Sequence, residues 1–298
     1  MQRRRFLQSF SLAGAALIAN PGWAMTEKKS RKLIILHTND THSNIDPFPA
    51  NHAKFPGLGG VAKRAALIQS IREKNENVLL FDSGDIFQGT PYFNTFHGEL
   101  EMKVMSAMAY DAATMGNHDF DIGLEGFLNA QQFANFPFLC ANYDFSETIL
   151  AGKTQTFKIF KKAGIKIGVF GIGVELNGLV PEKLYGKTKY LPPVEKANET
   201  AAGLRKLGAN LVVCLSHLGY SYADPKRISD LLLAQQSRGI DLILGGHTHT
   251  FLEKATVVEN LDKLPTVVNQ VGWAGVNLGQ ITIDIDNKLF QSEKLIIK

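Results

Sequence analysis

Residues 112–121 read A-A-T-M-G-N-H-D-F-D. A short apolar run, Ala112 to Met115, ends in Gly116, and an amide, an imidazole and two carboxylates follow as Asn117, His118, Asp119 and Asp121. Glycine lets the backbone turn where a side chain would collide. The run reads as a strand, and the loop after it holds the parts of a reactive site. It offers a metal ligand, a proton donor and a group to orient that donor. The reading depends on whether other strand ends in the chain carry matching residues.

Toward the amino terminus, Leu33 to Leu36 is apolar and ends in H-T-N-D-T-H, residues 37–42. Residues 44–59 are rich in Pro, Asn and Gly and read as a loop. Val61, Ala65, Ile68 and Ile71 recur at helical spacing. Val78 to Phe81 is a strand ending in D-S-G-D, and Glu99 to Tyr110 reads as a helix. Toward the carboxyl terminus, Phe138 to Ala141 is a short apolar run. Residues 157–173 alternate as a hairpin turning at Ala163-Gly164. Pro192-Pro193 opens a helix with Val194, Ala197, Ala201 and Leu204 on its buried face and Gly208 as its cap. Leu211 to Leu215 is a strand ending in S-H, Asp224-Pro225 starts a helix through Leu233, and Asp241 to Leu244 ends in G-G-H-T-H. The tail holds two strand-like runs, 266–271 and 280–286. Strands alternating with helices predict an α/β fold with much parallel pairing, in which sites gather beyond the carboxyl ends of the strands.

Five polar clusters lie at such ends: Asp40 with His42, Asp85, Asn117 with His118 and Asp121, His217, and His247 with His249. Taken singly, each has an ordinary explanation. D-x-H is usually a hydrogen-bonded turn, D-S-G-D a turn with helix-capping chemistry, and a lone histidine a structural one. G-G-H-T-H is harder to dismiss, because alternating residues of an extended segment point the same way. Five of the eight histidines fall in these clusters. Independent accidents would have to place ligand-type residues after five apolar runs. Carboxylates mixed with imidazoles suit Mn, Zn, Fe or Co, and their number fits two divalent ions sharing a bridging carboxylate.

H-T-N-D-T-H, G-D-I-F-Q-G, G-N-H-D-F-D, S-H-L-G and G-G-H-T-H resemble the five motifs of the calcineurin-like metallophosphoesterases, in the 5′-nucleotidase branch. They follow that family's order, and G-L-G-G-V-A-K-R at 57–64 resembles its helix start. The resemblance covers residues 33–285 and implies a four-layer αββα sandwich, two β-sheets between layers of helices. It implies Asp40, His42 and His249 on a first metal, Asn117, His217 and His247 on a second, and Asp85 bridging both. His118 matches the catalytic histidine and Asp121 the group that orients it. Asp119 has no role assigned, and His37 is expected to serve the loop. The implied reaction is hydrolysis of a small-molecule phosphate monoester, a 5′-nucleotide or a related one. The alternatives are a phosphodiesterase on cyclic nucleotides or nucleotide sugars, a thiohydrolase of sulfur oxidation, and a non-catalytic scaffold. Every matching position is filled, which disfavours the scaffold. Family 5′-nucleotidases continue into a second domain that reads the base. The resemblance stops short of it, so the expectation is weak substrate discrimination or a separately encoded partner chain.

The 298 residues are 45% hydrophobic and 20% charged, ordinary values for a globular domain. The formal charge is +4, and losing Arg3, Arg4 and Arg5 would bring the chain near neutrality, which argues against a nucleic-acid polymer as partner. Those arginines precede an apolar stretch from Phe10 to Ala19 that is too short to span a membrane. Residues 1–24 therefore read as a signal peptide, with small residues at Gly22 and Ala24, residues 25–32 as a linker, and 33–298 as one domain with no membrane span after the signal. R-R-x-F-L resembles a twin-arginine signal, which implies a periplasmic or exported protein. Cys140 and Cys214 lie in apolar runs and read as buried free thiols, with a disulfide as the alternative in an oxidising compartment. Replacing Arg3 and Arg4 with lysine is expected to trap precursor in the cytoplasm. Normal export of that variant through the general secretory channel would contradict the twin-arginine reading.

Overall fold

Two sheets lie back to back because their facing strands are apolar on both sides. The computed structural model describes residues 31–298, which form one compact unit. The signal assignment for 1–24 and most of the linker lie outside the described residues. In chain order the first part comprises β1 (Lys32–Thr38), α1 (Val61–Lys74), β2 (Val78–Asp82), α2 (Pro91–Phe96), α3 (Glu99–Ala107), β3 (Ala112–Ala113) and α4 (Gly123–Gln131). The middle comprises β4 (Tyr143–Asp144), β5 (Phe157–Lys162), β6 (Ile165–Ile172), α5 (Glu182–Tyr185), β7 (Lys189–Tyr190) and α6 (Pro193–Lys206). The last part comprises β8 (Leu211–Ser216), α7 (Asp230–Gln236), β9 (Leu242–Leu244), β10 (Thr256–Glu259), β11 (Pro265–Asn269), β12 (Asn277–Asp284) and β13 (Leu289–Ile296).

One sheet runs β13-β12-β1-β2-β3 and the other β10-β11-β9-β8-β6-β5, with β4 and β7 as a separate pair. Pairing is parallel among β1, β2 and β3 and among β6, β8, β9 and β11, and antiparallel where β5, β10, β12 and β13 flank them. Strand alternation divides the core. Leu33, Ile35, Leu79 and Phe81 meet Val169, Val213, Leu215 and Leu244 between the sheets. Ile34, Leu36, Val78 and Leu80 face Ile68 of α1, Met102 and Met105 of α3, and Phe127 of α4. Phe170, Val212, Cys214 and Ile243 face Ala197, Ala201 and Leu204 of α6 and Leu233 of α7. Three apolar interfaces make four layers, αββα, as the resemblance implied.

Several local readings change. The last helix does not begin at Asp224-Pro225. Asp224 instead closes a turn by accepting from the Lys226 N–H at 2.9 Å, and α7 starts at Asp230 with Ser229 as its cap, accepting from Leu232 N–H at 3.3 Å. The helix from Glu99 ends at Ala107 rather than Tyr110, because Ala109 turns left-handed (φ 54) and sends the Tyr110 hydroxyl to the Thr38 hydroxyl. Helices α2 and α4 give weak signals, being short, glycine- and aromatic-rich segments. Gly208 follows α6 in the left-handed region, as expected of a cap (φ 85). Cys140 and Cys214 are free and buried. Among the described residues, no helix is long and apolar enough to cross a membrane.

His37 does not serve a loop. It lies within β1, wholly buried, opposite Gly279 of β12, and Asn269 Nδ2 lies 2.9 Å from its Nε2. Burial pushes its pKa down to about 3. An unfolded imidazole takes up a proton near pH 6.5, and the folded one refuses it until near pH 3. The unfolded state then binds more protons, so the stability present above pH 6.5 is lost as pH falls toward 3. Between about pH 6.5 and 5, His37→Gln is expected to remove this contribution, so that the Tm of the parent falls relative to that of the variant as pH is lowered. Parallel profiles for the variant and the parent would contradict this.

Candidate metal centre

The five polar clusters converge although more than 200 residues separate the first from the last. They follow β1, β2, β3, β8 and β9 at the carboxyl ends of parallel strands. The two sheets are joined there. Ser83 donates its hydroxyl to the Leu244 carbonyl at 2.7 Å, and the Ser83 carbonyl lies 2.6 Å from His217 Nδ1. The His217 Nδ1–H donates to that carbonyl, which leaves Nε2 to face the site. His42 is oriented likewise, its Nδ1–H donating to the Phe87 carbonyl at 3.1 Å.

Two groups of potential ligands result, and they share one carboxylate. Asp40, His42, Asp85 and His249 bring one ligand atom each to within 4.8 Å of the others, and Asp85, His217 and His247 do the same. Asp85 Oδ2 lies 3.1 Å from His217 Nε2 and 3.7 Å from His42 Nε2, while Oδ1 accepts the His118 backbone N–H at 2.8 Å. The His249 Nε2 is 3.4 Å from Asp40 Oδ1. Asn117 precedes His118 in the loop after β3 and is buried. Its Oδ1 is buried with no hydrogen-bond partner. An orphaned acceptor of this kind calls for an ion or a water, and a donor set of carboxylate, amide and imidazole fits a divalent cation.

Burial opposes charge on Asp85, but His217, His42 and His118 outweigh it and hold its carboxyl well below the usual range. Burial also opposes charge on His217, yet Asp85 and Asp40 lift its pKa to about 10. A proton therefore balances these carboxylates when no cation does, and cation binding must release it. His118 stands at the rim, partly exposed, its Nδ1 2.8 Å from Asp121 Oδ2. That hydrogen bond raises the His118 pKa.

The backbone at the site is strained. Asp40, His42, Asp85, His247 and His249 all have positive φ, from 46° to 74°, a conformation that non-glycine residues seldom adopt. His247 and His249 consequently do not lie on one extended segment, as their spacing predicted. They sit in bends, with His247 beside His217 at 5.3 Å between ring centroids and His249 beside His42 at 5.1 Å. Gly116 is needed for close approach, since a Cβ there would overlap the Asp85 carboxylate.

Asp119 is the residue that sequence reasoning left without a role. It is fully buried and accepts four backbone N–H groups, from Gly116 (2.8 Å), Asp85 (3.0 Å), Ile86 (2.9 Å) and Phe87 (3.2 Å). One carboxylate thus ties the loop after β2 to the loop after β3. The only signal for it was a second acid in G-N-H-D-F-D with no other task. Asn39 does similar work for Asp40, bonding to Val271 N–H at 3.0 Å and to the Gly272 carbonyl at 2.7 Å. Asp119→Ala would leave buried N–H groups unpaired, at about 1–3 kcal/mol each. The variant is expected to melt lower than the parent and to bind divalent metal about 10- to 100-fold more weakly, the usual loss of an outer-sphere partner. Calorimetric melting and metal titration check both, and unchanged metal affinity would contradict the role.

Known proteins resemble this chain in sequence and fold. The calcineurin-like phosphoesterase family matches residues 33–251. A snake venom 5′-nucleotidase of Crotalus adamanteus is 36% identical over 279 residues, covering 87% of this chain and 46% of the venom protein. The solved 5′-nucleotidase precursor of Thermus thermophilus superposes with a TM-score of 0.79 at 30% identity, covering 89% of this chain and 54% of that one. The solved calcineurin-like phosphoesterase YfkN of Bacillus subtilis superposes with a TM-score of 0.73 at 26% identity, covering 90% of this chain and 91% of that one. The chain spans under half the length of the venom relative. The matched residues take in all five polar loops, and the chain belongs to the calcineurin-like phosphoesterase family.

Proposed function

We propose that this protein hydrolyses phosphate monoesters, 5′-nucleotides or related nucleotides, with two divalent transition-metal ions, and that it does so outside the cytoplasm. The observation that carries the reading is Asp85. Its carboxylate belongs to both ligand groups and also anchors the loop of His118. Asp40, His42 and His249 would hold one ion, Asn117, His217 and His247 the other, with Asp85 between them. When bound, such ions supply Lewis acidity toward the phosphoryl oxygens and a lowered pKa for water.

The chain's own residues do the rest. Asp40 and Asp85 concentrate negative charge where the cations must sit. Their backbone partners hold them there: Asp40 accepts the His247 N–H at 2.9 Å and Asp85 the His118 N–H at 2.8 Å. The hydrogen bond to Asp121 raises the His118 pKa and so favours its protonated form. It lies on the open side of the site, 5.2 Å from the His42 ring. There it stabilises charge on the phosphoryl group and gives its proton to the departing ester oxygen. Asp121 is a positioning residue, acting through His118. The curated relatives are longer than this chain, and a separate chain of their second-half kind is the partner this reading admits. Comparing kcat/KM for adenosine monophosphate with and without such a chain tests that point.

A screen of nitrophenyl mono- and diesters with manganese, alongside metal analysis, tests the function. The expected outcome is monoester hydrolysis and two ions per chain. Diester-only activity, or a single tight ion unaffected by Asp85→Asn, would overturn it. His118→Asn is expected to lower kcat about 100- to 10,000-fold while retaining metal. The loss should be smaller for nitrophenyl phosphate, whose leaving group needs little protonation. Loss of metal instead would make His118 a ligand.

A further inference from the structure

Beside His249 lies a row of rings that the five polar loops do not explain. Phe48, His52 and Phe55 come from the loop before α1, Phe251 from the segment after β9, and Trp273 from the turn between β11 and β12. The Trp273 ring stacks against the His249 imidazole, with centroids 6.0 Å apart and planes at 26°. Phe55 lies 6.3 Å from Trp273, and Phe251 lies 5.7 Å from Phe55 at 23°. Rings of this size are ordinarily driven into a core. These stay at the surface, and Phe251 is 40% exposed.

The row is fixed to the metal centre. The turn bearing Trp273 is bonded to the loop of Asp40 three times. Asn39 accepts from Val271 N–H at 3.0 Å and donates to the Gly272 carbonyl at 2.7 Å, and Ala274 N–H donates to the Asp40 carbonyl at 2.8 Å. The Phe251 ring lies directly on Gly272 (φ 95), where no side chain would fit. The loop before α1 is closed by Phe48 N–H donating to the Leu58 carbonyl at 2.8 Å and Phe55 N–H donating to His52 Nδ1 at 3.0 Å. The rings are therefore held in place ahead of any ligand.

We propose that these five rings form a leaving-group subsite, and that the ligand it takes is the flat base of a nucleotide. The inference rests on the proposed phosphate chemistry. One end of the row touches His249, a member of the Asp40–His42–Asp85 group, so an ester whose phosphate sits at that group has this face within reach of its leaving group. Every nucleobase has a π-face and stacks on aromatic side chains without needing a hydrogen-bond pattern. The subsite consequently favours a nucleoside over an aliphatic alcohol and discriminates little among bases. Some of the selectivity that the resemblance assigned to a second domain is present in this chain.

The test uses the full manganese-loaded chain with adenosine monophosphate and glycerol 3-phosphate, which share the reacting phosphate and differ in the ring. In Phe251→Ala and Trp273→Leu the ratio of kcat/KM for the nucleotide to that for glycerol 3-phosphate is expected to fall about tenfold or more, the loss of one stacked base. Phe251→Tyr, which keeps a ring, should retain the parental ratio. Metal content reports that each variant has folded. A ratio within about twofold of the parent in both ring-deleting variants, against the tenfold expected for a lost stack, overturns the subsite. So does a dimer that dissociates in Phe251→Ala, which would show a second copy covering the face. If the parent hydrolyses neither ester, the phosphate chemistry fails, and adenosine titration still decides the subsite. Quenching of Trp273 fluorescence that weakens in Phe251→Ala supports it, and no quenching overturns it.

Discussion

Asp40 and Asp85 are both fully buried, and their carboxylates lie within 4.8 Å of each other. Two like charges so close, with little water, repel strongly unless something positive accompanies them. Much of the surrounding structure answers that requirement. Imidazoles of His42, His217 and His249 crowd the pair, and backbone N–H groups of His247 and His118 point at them. The same concentration of charge suits the position to a divalent cation.

Holding ligands from both sheets in so small a volume has a conformational cost. Five of the candidate ligands accept left-handed backbone, at about 1–3 kcal/mol each. Such strain persists only where neighbours over-determine it. Here the neighbours are the Asp119 carboxylate, which gathers four N–H groups from two loops, and Ser83, which joins the two sheets. The apolar interface between the sheets supplies the rigid floor beneath. Packing energy far from the site is thus what keeps the charged groups in register.

The site is graded from buried to open. His217 is fully buried and Asn117 nearly so, whereas His118 and His249 face outward. The proposed chemistry on a phosphate would use that gradient. Cations would sit in the buried interior and a proton donor at His118 would stand where a leaving group can depart, and the aromatic row begins at the outermost imidazole.

The α/β character of the fold was legible in the chain because its elements repeat simple periods, whereas the four-layer order was implied by the family resemblance. Apolar runs followed by polar loops marked the strands, and apolar residues at helical spacing marked α1 and α6. The candidate ligands were legible too, since few residue types bind metal and they cluster after strands. Other features depend on approach between distant segments and leave no local trace. Asp119 looked idle because its partners Asp85, Ile86 and Phe87 lie some thirty positions away. His37 looked like part of a loop until strand pairing placed it against Gly279, more than 200 residues on. The aromatic row draws on three segments, none of them conspicuous alone. Residue type and order determined which chemistry was available. Which imidazole joins which group, which acid braces the loops and where the rings lie were decided by burial and backbone turns, because those energies exist only once the two sheets have met.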